Sequence, residues 1–261
     1  MVPFRLGLIG YGAIGRRVHR VLMQHGIAVE AVLLPQDPAA RAPALGMPIV
    51  DDVAGLREAA PDVVLECAGQ PALAAHGAAV LAAGMDLIVA SIGALADATL
   101  LGALRQAAGE GHARLILPSG AVGGLDALSA MALAGKLRVV YRGRKPPLAW
   151  AGTPAETLLD LARVAEPTAF FHGTARRAAL DYPKNANVAA TIGLMGAGLD
   201  ETEVTLLADP TVSGNIHEIE AWGPSGHVAF RLEGVADPEN PKTSMLAAYS
   251  LARAVLNRAG L

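Results

Sequence analysis

The stretch RLGLIGYGAIG, residues 5–15, decides the fold of the first half of the chain. An apolar, strand-like run ends at Gly10, and a helical pattern opens at Ala13, so the glycines of a GxGxxG motif occupy a strand-to-helix turn. In this context the motif predicts a dinucleotide site, because the turn and the helix N-terminus present free N–H groups to a pyrophosphate. The predicted cofactor-binding residues are Gly10, Gly12, Ala13, Ile14 and Gly15.

The glycines of this motif have separate expected roles. Gly10 permits the tight turn, Gly12 lets the backbone approach the pyrophosphate, and Gly15 lets the helix pack closely against the strand. An ordinary glycine-rich turn is the alternative interpretation, and the position between a strand and a helix disfavours it.

Short β-branched or leucine-rich runs then alternate with alanine-rich helical stretches up to about residue 117. This alternation is typical of parallel βαβ units and predicts an α/β fold with a doubly wound parallel sheet of the Rossmann type. The predicted strands are Arg5–Ile9, Val29–Leu34, Val63–Cys67, Leu87–Ala90 and Arg114–Leu117, and the predicted helices are Ala13–His25, Pro71–Ala83 and Ala96–Ala108.

The pattern changes after residue 117 and predicts a second, smaller α/β (α+β) domain. We assign residues 1–117 and 241–261 to the dinucleotide-binding domain, to which a C-terminal helix (Ser244–Ala259) returns, and 118–240 to a substrate, catalytic and dimerisation domain. Within it we predict strands at Leu137–Tyr141, Glu203–Leu207, Asn215–Trp222 and Val228–Leu232, and helices at Ala155–Val164 and from Asn187.

Composition excludes several classes of protein. With 52% hydrophobic and 17% charged residues the chain is not disordered, and its net charge of −3 gives no basic field for nucleic acid or an anionic membrane. Cys67 is the only cysteine, so an internal disulfide and a thiolate-rich zinc site are excluded, and the scattered histidines predict no metal site. The chain starts without a signal-peptide pattern and has no apolar run long enough to span a bilayer, so we expect a cytoplasmic protein.

The choice of dinucleotide normally depends on an acidic residue after the second strand, which binds the ribose hydroxyls. That position is apolar here, in Leu33-Leu34-Pro35-Gln36, while Asp37 comes late and Arg41 reaches a 2′-phosphate only if its loop folds inward. We therefore expect either NAD or NADP to be used.

Two polar segments and one histidine stand out in the second half. The loop PSGAVGG (118–124) is either a ligand loop or a crossing between domains, and YPKNANVAA (182–190) carries more polar residues than one helix cap requires. Strand alternation places His217 on the same inward face as Ile219, where a histidine is a satisfied core residue or a catalyst.

Together these segments resemble the L-aspartate dehydrogenase family. The resemblance covers nearly the whole chain and keeps the order of the family's elements. It rests on the Gly10–Gly15 loop, ECAG (66–69), SGAVGG (119–124), RKPP (144–147) with Trp150 and GTP (152–154), PKNAN (183–187), GNIH (214–217) and NPKTS (240–244). The resemblance implies that His217 is the active-site histidine and that Ala121 and Asn187 contact NAD.

The resemblance also implies an NAD(P)-dependent amino-acid dehydrogenase that oxidises L-aspartate to iminoaspartate, which water converts reversibly to oxaloacetate and ammonia. The iminoaspartate would feed NAD biosynthesis. Because a dicarboxylate needs cationic or N–H and O–H donors, the substrate candidates are Lys184, Lys242, Thr243 and Ser244, against the alternative that the lysines are merely solvated. We expect a homodimer formed through an apolar sheet of the second domain.

Two other classes of function stay open at this point. A homoserine-dehydrogenase-like or dihydrodipicolinate-reductase-like enzyme also pairs a Rossmann domain with a small α/β domain, but the strand carrying His217 argues against it. A non-enzymatic NAD(H)-sensing protein would bind the cofactor without turnover, and no DNA-binding helix pair supports that interpretation.

Overall fold

The computed structural model describes residues 4–34, 46–183, 187–238 and 240–261, and for 240–243 the backbone alone. The chain divides into two compact units. Unit 1 comprises residues 1–120 and 248–261, and unit 2 comprises 121–247. The boundaries predicted from sequence, after 117 and before 241, lie close to the first division and seven residues before the second.

Unit 1 contains a six-stranded sheet in the order β3-β2-β1-β4-β5-β6. Every pairing in it is parallel, so the predicted doubly wound sheet is confirmed. Its strands are β1 (Arg5–Ile9), β2 (Ala28–Leu33), β3 (Ile49–Val50), β4 (Val63–Glu66), β5 (Leu87–Val89) and β6 (Leu115–Ile116). Its helices before the crossing to unit 2 are α1 (Ala13–Met23), α2 (Val53–Glu58), α3 (Gln70–Ala82), the 3₁₀ turn Ile92–Ala96 and α4 (Ala98–Glu110).

A helix from the C-terminal part of the sequence packs against the sheet of unit 1. This helix, α9 (Met245–Arg258), buries Ala248, Leu251 and Val255 in one core cluster with Leu6 and Leu8 of β1. Polar contacts also hold it, since Nε of Arg258 lies 2.6 Å from a carboxylate oxygen of Asp86. The helix predicted at Ser244–Ala259 is thus present, and its apolar stripe belongs to the core of unit 1.

Unit 2 contains a five-stranded mixed sheet in the order β11-β10-β7-β9-β8. β7 and β9 run parallel, and the other pairs are antiparallel. The strands are β7 (Arg138–Lys145), β8 (Thr168–Thr174), β9 (Thr202–Ala208), β10 (Ile216–Gly223) and β11 (Gly226–Glu233), with a separate pair β12 (Ala236–Asp237) and β13 (Asn240–Ser244). The helices are α5 (Leu125–Leu133), the 3₁₀ turn Pro147–Trp150, α6 (Ala155–Leu158), α7 (Ala175–Asp181) and α8 (Asn187–Met195).

The two faces of this second sheet differ in polarity. Helices α5, α7 and α8 pack against it, and the alternate residues Tyr141, Val204 and Ile219 are buried. The opposite face carries ion pairs between neighbouring strands, among them Arg138 with Glu203 at 3.0 Å and Arg142 with Glu220 at 3.1 Å. The expectation of an apolar interface on this sheet was therefore wrong, because the chain's own helices cover its apolar side.

Two parts of unit 2 differ from the sequence prediction. The predicted helix Ala155–Val164 ends at Leu158, because Leu159 is extended and the carboxylate of Asp160 accepts a hydrogen bond from the backbone N–H of Ala162 at 3.2 Å. Strand β8 and helix α7 were not predicted. Thr174 marks the junction between them, where its hydroxyl accepts the N–H of Arg177 as an N-cap.

Candidate active site

The glycine loop at the carboxyl end of β1 has the geometry of a dinucleotide cradle. Gly10 has a φ of +88°, and a Cβ added there would lie 2.6 Å from the Cβ of Ala68. A Cβ on Gly15 would lie 3.0 Å from the sulfur of Cys67. A Cβ on Gly12 would meet no described atom within 4 Å, so the fold of the described chain makes no steric demand for glycine at that position. A glycine at this position lets a ligand in the open space approach the backbone closely. The loop therefore fits a pyrophosphate.

Helix α1 presents its N-terminus to this space. Its N-cap is Gly12, and no side chain of the described residues makes a capping hydrogen bond there. The first N–H groups of the helix, including those of Ala13 and Ile14, therefore remain for an anion, which the helix dipole also favours. The first turn carries no acidic residue that would oppose this.

The carboxylate of Glu66, for which the sequence predicted no role, orders the neighbouring loop. Glu66 is fully buried at the end of β4, where one of its oxygens accepts the N–H groups of Ala68 and Gly69, each at 2.8 Å. The hydroxyl of Ser91, which follows β5, donates to the same oxygen at 3.0 Å, and the N–H of Ser91 donates to the other carboxylate oxygen at 3.0 Å. Burial raises the pKa of Glu66, and these donors oppose that shift. The ends of β4 and β5 are thereby tied together beside the glycine loop. The sequence signal for this role of Glu66 is an acidic residue at the end of an otherwise apolar strand.

Cys67 lies beneath the same loop. Its thiol donates to the carbonyl oxygens of Ile9 at 3.4 Å and Gly10 at 3.2 Å. Burial, together with the charge of Glu66, raises the pKa of the thiol. Cys67 is therefore a neutral packing residue and not a thiolate nucleophile.

His217 is buried on the inner face of β10, with 3% of its surface exposed. Its Nδ1 lies 2.9 Å from the hydroxyl of Tyr141, whereas its Nε2 is buried and has no hydrogen-bond partner within the described part of the chain. Burial, and next the charge of Lys145, lower the pKa of His217 to about 4. The imidazole is thus neutral near pH 7, with one nitrogen fixed and the other available to a ligand.

Strand β7 supplies the partner of His217. Gly143 pairs with His217 in the antiparallel register, and Tyr141 stands two residues away on the same face. A Cβ on Gly143 would lie 2.6 Å from the hydroxyl oxygen of Tyr141. The absence of a side chain at Gly143 therefore gives the Tyr141 hydroxyl the space from which it reaches the histidine.

Lys145 continues the same face of β7, two residues beyond Gly143. It is 7% exposed, and its Nζ lies 4.9 Å from the centroid of the Trp150 ring. Burial lowers the pKa of Lys145 to about 8. Trp150 is itself buried and donates its indole N–H to the carbonyl of Leu207 at 3.0 Å, which fixes the ring beneath the ammonium group.

The other predicted site residues have different outcomes. Ser244 is 5% exposed, and its hydroxyl is buried without a partner among the described residues. Asn187 is the exposed first residue of α8, and Ala121 lies in a turn of unit 2 before α5. Lys184 and the side chains of Lys242 and Thr243 lie outside the described residues, as do Pro35, Gln36, Asp37 and Arg41 of the cofactor-selecting loop.

Comparison with known proteins adds close relatives. L-aspartate dehydrogenase of Ruegeria pomeroyi is 47% identical over 97% of this chain and 92% of its own length. The enzyme of the same name from Polaromonas sp. is 43% identical over 97% of both chains. Among solved structures, aspartate dehydrogenase from Thermotoga maritima has a TM-score of 0.74 at 27% identity and covers 97% of this chain and 96% of its own. An amine dehydrogenase from Mycobacterium smegmatis (TM-score 0.59, 14% identity, 99% and 93% covered) shares the fold alone.

The parallel sheet with its glycine loop, and a second sheet carrying a buried histidine, define an NAD(P)-dependent oxidoreductase. Residues 10–118 match the family model described as "Homoserine dehydrogenase, NAD binding domain", and 126–258 match "Aspartate dehydrogenase, C-terminal". The chain belongs to the L-aspartate dehydrogenase family. The homoserine-dehydrogenase likeness is confined to the nucleotide-binding part. No described helix combines the length and apolarity that a membrane span requires.

Proposed function

We propose that this protein oxidises L-aspartate with NAD(P)⁺ and water to oxaloacetate, ammonium, NAD(P)H and a proton, through iminoaspartate and reversibly. The observation that carries the proposal is His217, which is buried and held at Nδ1 while its Nε2 is available. A chain 47% identical to an L-aspartate dehydrogenase over nearly its full length supports the choice of substrate.

The dinucleotide supplies the hydride acceptor when it is bound. Gly10, Gly12 and Gly15, with the N–H groups of Ala13 and Ile14, would hold its pyrophosphate, and we propose Ala121 and Asn187 as further contacts. The support for this placement is the space beside Gly12 and the uncapped N-terminus of α1.

The protein's own part in the chemistry is proton transfer. The substrate's ammonium must lose a proton before the Cα hydride leaves, and the water that attacks the imine carbon must lose another before the C–N bond breaks. We assign both transfers to Nε2 of His217, a neutral nitrogen at pH 7, which returns a proton to the departing nitrogen. Tyr141 holds the ring in place through Nδ1.

We retain Lys184, Lys242, Thr243 and Ser244 as proposed substrate contacts. Support within the described residues exists for Ser244, whose buried hydroxyl lies beside Gly234, 3.3 Å from the position of a Cβ there. The backbone N–H of Gly234 bonds the carbonyl of Asn215 at 2.7 Å, so Ser244 lies near the start of the strand that carries His217.

We also propose that the protein acts in the cytoplasm as a homodimer, and the supply of iminoaspartate to NAD biosynthesis stays a prediction. The face of the unit 2 sheet that carries Arg138, Arg142, Glu203 and Glu220 is the surface we propose for the interface, because helices α5, α7 and α8 pack against the other face. Sedimentation at low and high salt tests this assembly. A chain that sediments as a monomer at low salt would contradict it.

The test of the activity is the absorbance of NAD(P)H during incubation with L-aspartate, other amino acids and L-homoserine. We expect aspartate-specific reduction that is lost in His217→Ala while the affinity for NADH persists. His172→Ala is the matched control, since His172 is an exposed histidine of the same sheet. Tight NADH binding without turnover of any amino acid would contradict a dehydrogenase and favour a sensor.

A further inference from the structure

Lys145 is a buried cation that the proposed proton chemistry does not use. A lysine ammonium is rarely buried to this degree, because removing it from water costs free energy that neighbouring groups must offset. The face of Trp150 offsets part of this cost. Buried ionisable groups of this kind are concentrated at functional sites, so Lys145 is a candidate site residue.

The strand register places Lys145 at the same end of the inner sheet face as His217. Arg144 pairs with Ile216, so Lys145 is one step further along β7, towards the start of β10. Gly143 pairs with His217, so Lys145, two residues beyond Gly143 on the same face, lies next to the histidine along the sheet. The charge of Lys145 is accordingly the second cause, after burial, of the lowered pKa of the imidazole.

An independent observation at this end of the sheet indicates a ligand. Within the described part of the chain, Nε2 of His217 and the hydroxyl of Ser244 are both buried polar atoms without a hydrogen-bond partner. Buried polar groups are nearly always paired, so unpaired ones near a buried cation indicate a site that a polar molecule completes.

We propose that Lys145 is the cationic anchor for a carboxylate of the substrate, which it holds beside Nε2 of His217. The inference rests on the proposed function and assigns one of its carboxylate contacts to a residue outside the four proposed from sequence. An ammonium that is partly desolvated binds a carboxylate more strongly than an exposed lysine does.

Binding at Lys145 also changes the proton affinity of His217. The carboxylate offsets the ammonium charge that contributes to the low pKa of the imidazole. Tyr141 and Lys145 on β7 are titratable groups that face the ring, and Leu232 of β11 pairs with His217 on its other side. The histidine therefore becomes a stronger base when the substrate is present.

The experiment measures the dissociation constant of succinate, a dicarboxylate without an amine, by calorimetry on the NADH-bound protein, and the KM for L-aspartate. In Lys145→Met we expect both constants to rise at least about tenfold, while the affinity for NADH is unchanged. Lys145→Arg should recover part of the succinate affinity because it restores the charge. Lys136→Met, which alters a lysine with 87% of its side chain exposed, should behave as wild type.

Each outcome bears on a separate claim. Wild-type affinity for succinate in Lys145→Met, or no succinate binding by the wild type, overturns the anchor even if L-aspartate is oxidised. Succinate binding that depends on Lys145, in a protein that oxidises no amino acid, supports the anchor and overturns the proposed activity. If Lys145→Met does not fold, the comparison of Lys145→Arg and Lys145→Gln decides, since retained affinity in the glutamine variant excludes a charge-dependent anchor.

Discussion

The hydroxyl oxygen of Tyr141 and Nδ1 of His217 lie 2.9 Å apart on neighbouring strands, and both side chains are buried. Burial raises the pKa of Tyr141, so the phenol keeps its proton at all working pH values. The hydrogen bond fixes the orientation of the imidazole through Nδ1, so that Nε2 is the nitrogen left for a ligand. Tyr141 is therefore a positioning residue for the proposed base.

Replacing Tyr141 by Phe removes this hydrogen bond and keeps the ring. We expect kcat for L-aspartate to fall about tenfold, equivalent to a hydrogen bond of about 1.4 kcal/mol, with little change in the affinity for NADH. Steady-state kinetics and NADH fluorescence titration measure the two effects. The exposed Tyr249→Phe serves as control. An unchanged kcat would show that His217 does not depend on Tyr141.

Gly143→Ala should disturb the contact between Tyr141 and His217 without replacing either residue. The new Cβ would lie 2.6 Å from the Tyr141 hydroxyl, so the phenol must move, and we expect a loss of about 1–3 kcal/mol in the free energy of unfolding. In Gly143→Ala combined with Tyr141→Phe the oxygen is absent, and the two losses should be less than additive. Urea unfolding of the four proteins measures this coupling, and strict additivity would contradict it.

The glycine loop predicts that alanine at one glycine lowers stability, whereas alanine at another lowers the affinity for NADH. Gly10→Ala places a Cβ 2.6 Å from that of Ala68 at a positive φ, so it should reduce the free energy of unfolding by about 2 kcal/mol or more. Gly12→Ala meets no described atom and should leave stability within about 1 kcal/mol, while NADH affinity falls at least about tenfold. Thermal unfolding and NADH titration separate the cases. Gly102→Ala, in a helix with open space around it, is the control.

The low pKa of His217 predicts a loss of stability in mild acid. The imidazole titrates near 4 in the folded chain and near 6.5 when exposed, so between these values only the unfolded chain takes up the proton. Stability should therefore fall as the pH drops below about 6.5, by about 2 kcal/mol at pH 5, and level off below about 4. Urea unfolding across this range measures the effect. His217→Asn should reduce the slope, and an equal slope would assign the acid sensitivity to other groups.

The low pKa of Lys145 predicts that removing its charge stabilises the folded protein while it weakens substrate binding. The ammonium titrates near 8 in the folded chain and near 10.5 when exposed. Burying its charge therefore lowers the free energy of unfolding by the full amount below pH 8, and by less and less as the pH rises towards 10.5. Lys145→Met should raise the free energy of unfolding at pH 7 by up to about 3 kcal/mol, although it weakens succinate binding. Urea unfolding at pH 7 and about pH 10 tests this. A destabilised Lys145→Met at pH 7 would mean that the lysine has a structural role.

The fold of unit 1 was predictable because its signals are local. The glycine loop and the strand-to-helix alternation lie within short windows, and the observed strand β1 (Arg5–Ile9) has the predicted bounds. The burial of His217 was also predictable, because strand alternation alone places it with Ile219 on one face.

The surroundings of His217 were not predictable in the same way. Tyr141 precedes it by 76 residues, and only the pairing of β7 with β10 brings the two together. Lys145 occurs in the sequence between Arg144 and prolines, where a lysine is normally solvated, and the Trp150 ring beneath it becomes visible only in three dimensions. Glu66 was seen as part of a motif, but its hydrogen bonds reach Ser91, 25 residues away, just beyond the end of the neighbouring strand β5.

Helix α9 has a consequence for the order in which the protein is made. Unit 1 consists of two stretches of chain separated by the whole of unit 2, and Leu251 and Val255 share a core with Leu6 and Leu8. On the ribosome, residues 121–247 emerge before 248–258, so the sheet of unit 2 has all its strands while the first sheet still exposes an apolar face. The face of unit 1 that α9 covers is therefore the apolar surface that needs protection from aggregation until residues 248–258 have emerged.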